Sequence, residues 1–451
     1  MRRLRASLQR SLFVPYPEDE WRPRGWEAWL VVVAFLVLAS ALQLFRMGPT
    51  ATLESIWAED GPIFLGGAIV HGPLDLLATP YNGYLVVVQR LVGDLGALVP
   101  LPDAATAMAL VATVIISLSG LVVWVASAGH IRSPVLRGLL VALTVLSPVA
   151  GLEAVVSGTY VCWYMSFAVF WLLLWQPRTT WSACLAGAFI LLTGLSGPIT
   201  FFFLPLALLR AAAIRDRRDA IIVGSYAVAI AIQVPVTLVN EVPPPEGRTF
   251  TDHIWTVFLQ RIVDGSTLGL ELGSSAWESW GWPLLVGLTI ALAAYLLVLA
   301  PRARGGRLLA AIALVTALVM FVVSIYQRAV TLTMLWPTGG SNVFGGRYSI
   351  VPSLLLISAV FVLLDRQEWS PRVWRGAMGA TVAVLLVALA TSLDTGDRGG
   401  PRWRDAVEAA ALRCEIKGQP EDAVHITPVG WAVYLPCDEI VSGDWARAAS
   451  P

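Results

Sequence analysis

Eleven apolar runs punctuate this chain, and polar segments of two kinds separate them. The runs are Trp26 to Phe45, Ala104 to Ala128, Leu136 to Val149, Tyr160 to Trp175, Trp181 to Thr193, Ile199 to Leu209, Ala220 to Val239, Trp282 to Ala300, Leu308 to Tyr326, Tyr348 to Leu364 and Ala377 to Leu393. A helix of about 20 apolar residues crosses the hydrocarbon of a bilayer. The pattern therefore predicts an all-α polytopic membrane protein of about eleven transmembrane helices, occupying residues 26–393. The fifth and sixth runs are short and are split by Gly194-Leu195-Ser196-Gly197-Pro198. As spans they need a tilt, or a break lodged in a cavity. Three long segments, 48–103, 240–281 and 327–346, mix polar and apolar residues. Residues 1–25 precede the first run. No small-residue cleavage site follows that run, so it is expected to stay attached as an anchor. A polar tail, 394–451, follows the last run.

Charge orients this pattern. The N-terminal segment and the short connections on its side hold 19 of the 31 Arg and Lys, and the long segments with the tail hold 12. Basic flanks stay in the cytoplasm. The N-terminus is therefore expected inside, with the C-terminus and the three long segments outside a plasma membrane. Acids lean the other way, with 23 of 31 on the outer side. Composition agrees: 57% of residues are hydrophobic and 14% charged, against about 25% charged for a soluble domain. Net charge is zero, which gives nothing to attract nucleic acid. In an outer compartment Cys414 and Cys437 can form a disulfide, stabilising the tail by about 3 kcal/mol; two free thiols are the alternative. Cys162 and Cys184 fall within runs and read as packing residues. With four His in all (His71, His130, His253, His425), no CxxC and no HExxH, a zinc site is not expected. No cofactor is implied, and nothing points to a divalent metal.

The outer segments hold the candidate chemistry. In Trp57-Ala58-Glu59-Asp60-Gly61-Pro62, two adjacent carboxylates meet a Gly-Pro turn at the start of an apolar stretch. Adjacent carboxylates repel, so unless the pair binds a cation one of them is expected to point away or to have a raised pKa. A raised pKa suits a general base. The plainer reading is a helix N-cap. Further along lie Tyr81, Tyr84, Gln89 and Arg90; then Asp252, His253 and Arg261; then Arg328, Asn342, Arg347 and Tyr348. Arg347 stands where an apolar run begins. A cation there is costly without a partner, which makes it a functional candidate. Arg347, Arg90 and Arg328 are the forks available to a lipid phosphate; snorkelling to the interface is the alternative for each. Trp57, Tyr81 and Tyr84 can stack on a sugar or belong to the interfacial aromatic belt. Asp252-His253 reads as a solvated loop pair before an acceptor contact.

A long first outer loop with an acidic pair, on about eleven spans, resembles the C-type glycosyltransferases (GT-C), as does Gly345-Gly346-Arg347-Tyr348 at the outer start of a late span. The likeness rests on WAEDG, PYNGY and GGRY, and the pattern looks like actinobacterial members with an EDG-bearing first loop. It implies a sugar donor on a polyprenyl phosphate, an envelope glycan or glycolipid acceptor, and Asp60 as base with Glu59 as helper or metal ligand. Substrate binding would fall to Arg347, Tyr348, Arg90, Arg328, Tyr81, Tyr84 and Trp57. The tail has no counterpart in that class. Rival readings are a transporter or flippase of lipid-linked sugars, an envelope polymerase or ligase, and a non-catalytic assembly protein. A transporter tends to show two similar halves with broken helices at the midplane; here one pair is broken and the polar residues cluster outside. The charge bias makes a direct prediction. Cysteine replacing Arg217 should react with an impermeant thiol reagent only from inside, and cysteine in the tail or in the Trp57 loop only from outside. Labelling of Arg217→Cys from outside would invert the topology.

Overall fold

A computed structural model describes residues 8–9, 11–15, 25–213, 216–240, 242, 253–303, 305–328, 345–394, 396 and 398–441. Among them are eleven apolar helices: α1 (Trp26–Phe45), α2 (Ala104–Ser127), α3 (Pro134–Val145), α4 (Val161–Leu174), α5 (Thr180–Gly194), α6 (Leu204–Ala212), α7 (Arg217–Val239), α8 (Trp282–Leu299), α9 (Arg307–Arg328), α10 (Arg347–Asp365) and α11 (Pro371–Ala390). Seven are long and apolar enough to cross a bilayer, and α3, α4, α5 and α6 are shorter. The chain is a helical polytopic membrane protein.

Two helices form the interior. All 14 residues of α4 are buried, as is α10 from Tyr348 to Leu364. A helix that is apolar all round belongs in the middle of a bundle. The peripheral helices turn aliphatic side chains outward, such as Val37 and Leu38 on α1 and Ile290 and Leu297 on α8. In lipid such exposure carries no hydrophobic penalty. Cys162 packs inside α4, whereas Cys184 on α5 is exposed and so does not pack as its position in an apolar run led us to expect.

The helix ends sort into two faces. At one, Arg46 after α1 donates to the carbonyls of Ser147, after α3, and Ser392, after α11, at 3.2 and 2.9 Å. At the other, the carboxylate of Asp365, the last residue of α10, accepts from the amides of Arg132 and Ser133 before α3, at 2.7 and 2.9 Å. Arg366 there donates to the carbonyl of Gly129, which follows α2, at 2.8 Å. Backbone groups at helix ends need partners, and here buried or half-buried side chains from other helices supply them.

The first long segment folds down onto the Arg46 face. A 3-10 turn (Ala58–Asp60) runs into a π-helical turn (Gly61–Leu65) and a short helix (Gly66–His71). An Asn82-Gly83 turn with both φ positive pairs Tyr81 with Tyr84, and a helix follows over Val87–Ala97. Asn-Gly is the sequence this turn demands. Gly93 brings the Val87–Ala97 helix against the π turn; a Cβ there would lie 2.5 Å from the Phe64 carbonyl carbon.

The break between α5 and α6 has a partner rather than a cavity. The Val87 amide donates to Leu195 O at 3.2 Å, the Val88 amide to Ser196 Oγ at 3.0 Å, and Gln89 Nε2 to Ser196 O at 2.8 Å. From α7, Gln233 accepts from the Leu85 amide and donates to its carbonyl, both at 3.1 Å. The interrupted helix pair is thus the seat of the first loop.

The tail forms a small module of its own. Helix α12 (Trp403–Lys417) packs on an antiparallel pair, β1 (Glu421–His425) and β2 (Ala432–Pro436), in the register Glu421 to Pro436 and His425 to Ala432. A disulfide joins Cys414 to Cys437, with Cα atoms 5.6 Å apart. Val407, Val424, Val433, Leu435 and Ile440 make a core that merges with Ile56, Leu65 and Val92 of the first segment.

Candidate active site

The acidic pair divides into two unlike carboxylates. Asp60 is buried, and its carboxylate is saturated by one loop. Oδ1 accepts from the Thr159 amide at 2.6 Å and Thr159 Oγ1 at 2.7 Å; Oδ2 accepts from Ser157 Oγ at 2.8 Å and the Gly158 amide at 3.1 Å. It makes no cap bond to the turn that follows, so the N-cap reading does not hold. Burial pushes the Asp60 carboxyl up from its ordinary range, and the Thr159 and Ser157 donors pull against that shift. The backbone on both sides of this lock is strained: Ala58 has φ 42° and Val156 φ 50°. For a β-branched residue the left-handed region is a true outlier, and such strain persists only where its surroundings enforce it.

Glu59 is the open one of the pair. It is half-buried, and Tyr160 Oη donates to its Oε2 at a long 3.5 Å. The same phenol oxygen accepts from Arg347 Nη1 at 2.8 Å. Arg347 opens α10, and Glu153 holds it from below: Glu153 Oε2 takes Nη1 at 2.9 Å and Oε1 takes the Arg347 amide at 3.2 Å. Its guanidinium carbon lies 5.0 Å from the ring centre of Tyr160 and 4.8 Å from that of Tyr348. Nη2 donates to Tyr348 Oη at 3.2 Å. The Arg347 side chain is 28% exposed, while Glu153 is fully buried. Arg261, buried on the π-helical turn Leu259–Asp264, also interacts electrostatically with Glu153. Two guanidinium groups, Arg347 and Arg261, thus act on the one buried carboxylate of Glu153.

The remaining expected residues fall into two groups. Tyr81 belongs to the cluster. Burial, then the Glu59 charge, push its phenol up to about 12, so it remains a neutral hydrogen-bonding group. Tyr84 is half-buried across the turn from it. Arg90 is instead a brace: it is buried, donates to Ile63 O at 2.8 Å and stands 5.7 Å over the Phe64 ring. Trp57 is 1% exposed, with the Arg398 guanidinium 5.2 Å from its ring centre, so it packs and offers no face to a sugar. Arg328 ends α9 with its side chain outside the described residues, as is that of His253; Asp252 and Asn342 lie wholly outside them. Among the described residues no three His, Cys, Asp or Glu are grouped to hold a metal.

Sequence reasoning missed Glu153, Tyr160 and the Ser157–Thr159 loop. One signal was available. Glu153 is the sole acid between Asp103 and Asp216, a stretch of apolar runs in which a lone carboxylate is expensive.

No family model matches the chain, and no curated protein matches it. Among solved structures it is similar to the archaeal oligosaccharyltransferase AglB from Archaeoglobus fulgidus, in complex with an inhibitory peptide and a dolichol-phosphate, at 13% identity and a TM-score of 0.41 over 90% of this chain and 61% of that one. An Archaeoglobus fulgidus oligosaccharyltransferase in complex with Zn and sulfate gives 13% identity and a TM-score of 0.34 over 87% and 57%. The chain therefore spans about 61% of the length of AglB. Likeness at this level decides nothing about chemistry.

The Asp60 lock yields a stability prediction. Asp60→Asn puts an amide NH2 against two donors in a buried place. Hydrogen bonds to a charged group contribute about 1.5–3 kcal/mol each, so the variant should melt well below the wild type in detergent. A wild-type melting temperature in Asp60→Asn would show that the four bonds do not hold the loops together.

Proposed function

We propose that this chain is a membrane glycosyltransferase that moves a sugar from a polyprenyl-phosphate donor to a hydroxyl of an envelope glycan or glycolipid, on the extracytoplasmic face of the plasma membrane. One observation carries the reading. A half-buried guanidinium, Arg347 at the start of α10, and a half-buried carboxylate, Glu59, stand two hydrogen bonds apart, joined through Tyr160. The first suits the phosphate of a lipid carrier; the second suits the proton of an acceptor.

The chemistry needs both. As the acceptor oxygen attacks the anomeric carbon, Glu59 takes its proton. The bond from that carbon to the phosphate oxygen breaks, and the electron pair leaves with the polyprenyl phosphate. Arg347 neutralises the charge that grows on the leaving phosphate. Attack from the face opposite the leaving group inverts the anomeric centre. We assign the base to Glu59 rather than Asp60, because Asp60 spends its acceptor capacity on four donors. Asp60 holds the turn; Glu59 is free to exchange a proton.

Two substitutions test this in liposomes with a synthetic polyprenyl-phosphate sugar. Glu59→Gln should lower transfer by at least about a hundredfold, within the range a positioned base supplies, with melting unchanged. Full activity in Glu59→Gln would remove the base from this residue. For Arg347 the informative change is to Lys. Arg347→Ala would strand the buried Glu153 carboxylate, and breaking a buried pair costs about 3–5 kcal/mol on its own. Arg347→Lys keeps a charge for Glu153 but loses the planar fork. It should weaken donor binding by roughly tenfold or more, the equivalent of one charge-assisted hydrogen bond. Donor affinity equal to wild type would place the phosphate elsewhere.

A further inference from the structure

One residue of the tail, Arg398, reaches both loops that build the site. Arg398 Nε donates to Leu152 O at 3.0 Å, and its Nη2 donates to Val155 O. Nη1 reaches Ser55 Oγ at 3.5 Å, and the guanidinium carbon lies 5.2 Å from the Trp57 ring centre. One planar group therefore addresses both strained loops: the one that presents Glu59 and the one that presents Glu153 and Tyr160. The two left-handed residues, Ala58 and Val156, lie directly beside its contacts.

The rest of the tail fixes where Arg398 stands. The Ala58 amide donates to Thr427 O at 2.6 Å and the Thr427 amide to Ile56 O at 3.2 Å, so a residue between the module's two strands pairs with the chain on both sides of Trp57. Thr427 Oγ1 donates to Gly399 O, next to Arg398, at 2.7 Å. Gly400 has φ 97°, and a Cβ there would lie 2.5 Å from Thr427 Oγ1. At the other end the Trp403 amide donates to Glu54 O at 2.6 Å, and its indole N–H to Leu101 O at 2.7 Å. The disulfide closes the module around the strands that carry Thr427.

We propose that Arg398 is a positioning residue of this site, and that the folded tail exists to deliver it: the tail clamps the Glu59 turn to the Tyr160 loop from outside the bundle. Arg398 does not touch the substrates; it sets the distance between the base and the phosphate-binding Arg347. This rests on the function proposed above. The role asks for a guanidinium, since two carbonyls, a hydroxyl and an aromatic ring surround the one group, and an ammonium cannot match that fork.

The test uses the full chain in liposomes, as Arg398→Ala and Arg398→Lys. Misplacing a catalytic group by about 1 Å can cost on the order of a hundredfold. Arg398→Ala should therefore lower kcat by about tenfold to a hundredfold while KM for the lipid donor stays within about twofold, the signature of lost transition-state alignment. Arg398→Lys should recover only part. Hydrogen exchange supplies a readout independent of turnover. In Arg398→Ala the amides at 56–60 and 156–159 should exchange faster, with those of α4 and α10 unchanged. Wild-type kcat in Arg398→Ala, or a raised KM with kcat intact, overturns the positioning role. Unchanged exchange in both segments overturns the clamp, even if the wild-type chain transfers no sugar and the proposed function itself fails.

Discussion

A buried carboxylate with four donors is the constraint on which the rest of this site depends. Asp60 ties the first loop to residues 157–159, two segments far apart in sequence. An ionised carboxylate left unpaired away from water is very costly, so the two loops have no inexpensive way to part. That tie fixes Glu59 one residue before it and Tyr160 one residue after its last donor. It also accounts for the left-handed Ala58 and Val156. Their strain is the cost of bringing two tight turns to one carboxylate, and the lock offsets it.

The second level is the pair of interior helices. Tyr160 immediately precedes α4 and Arg347 opens α10, the two helices buried on every side. A group at the end of a packed helix moves little, and sites on such elements are held more tightly than sites on loops. Glu153 then sets the orientation of the Arg347 guanidinium, and the Tyr160 and Tyr348 rings flank it at 5.0 and 4.8 Å. The arrangement gives a loop-borne carboxylate and a helix-borne cation, joined by one phenol. In the function proposed above, the helix-borne cation holds the leaving phosphate still while the loop-borne carboxylate deprotonates the acceptor.

Much of this was legible in the sequence, and the reasons differ by element. Apolar length and period show the helices directly, because lipid demands apolar faces of a given span. The ends of α10 and the acidic turn stood out because charge beside an apolar run is rare. What the sequence hides is which of two neighbouring carboxylates is spent on structure. Glu59 and Asp60 look alike on paper; only the Ser157–Thr159 loop, about a hundred residues away, distinguishes them. Arg90 and Trp57 pose the same difficulty, since a cation or an indole in a long loop can brace as readily as bind. The break at Gly194 to Pro198 looked like a defect in a span, and its purpose is visible only with Val87, Val88 and Gln89 seated on it. The tail gave its disulfide by compartment alone, but not its contact with the site.

The most direct measurement is the structure of the chain with a polyprenyl-phosphate sugar bound. The phosphate should lie within hydrogen-bonding distance of the Arg347 guanidinium, with the anomeric carbon on the Glu59 side of Tyr160 and room for an acceptor hydroxyl at the Glu59 carboxylate. A lipid phosphate bound on the opposite face, among Arg132, Arg366 and their neighbours, would contradict it. So would a donor whose sugar faces Asp60 with the Ser157–Thr159 bonds released.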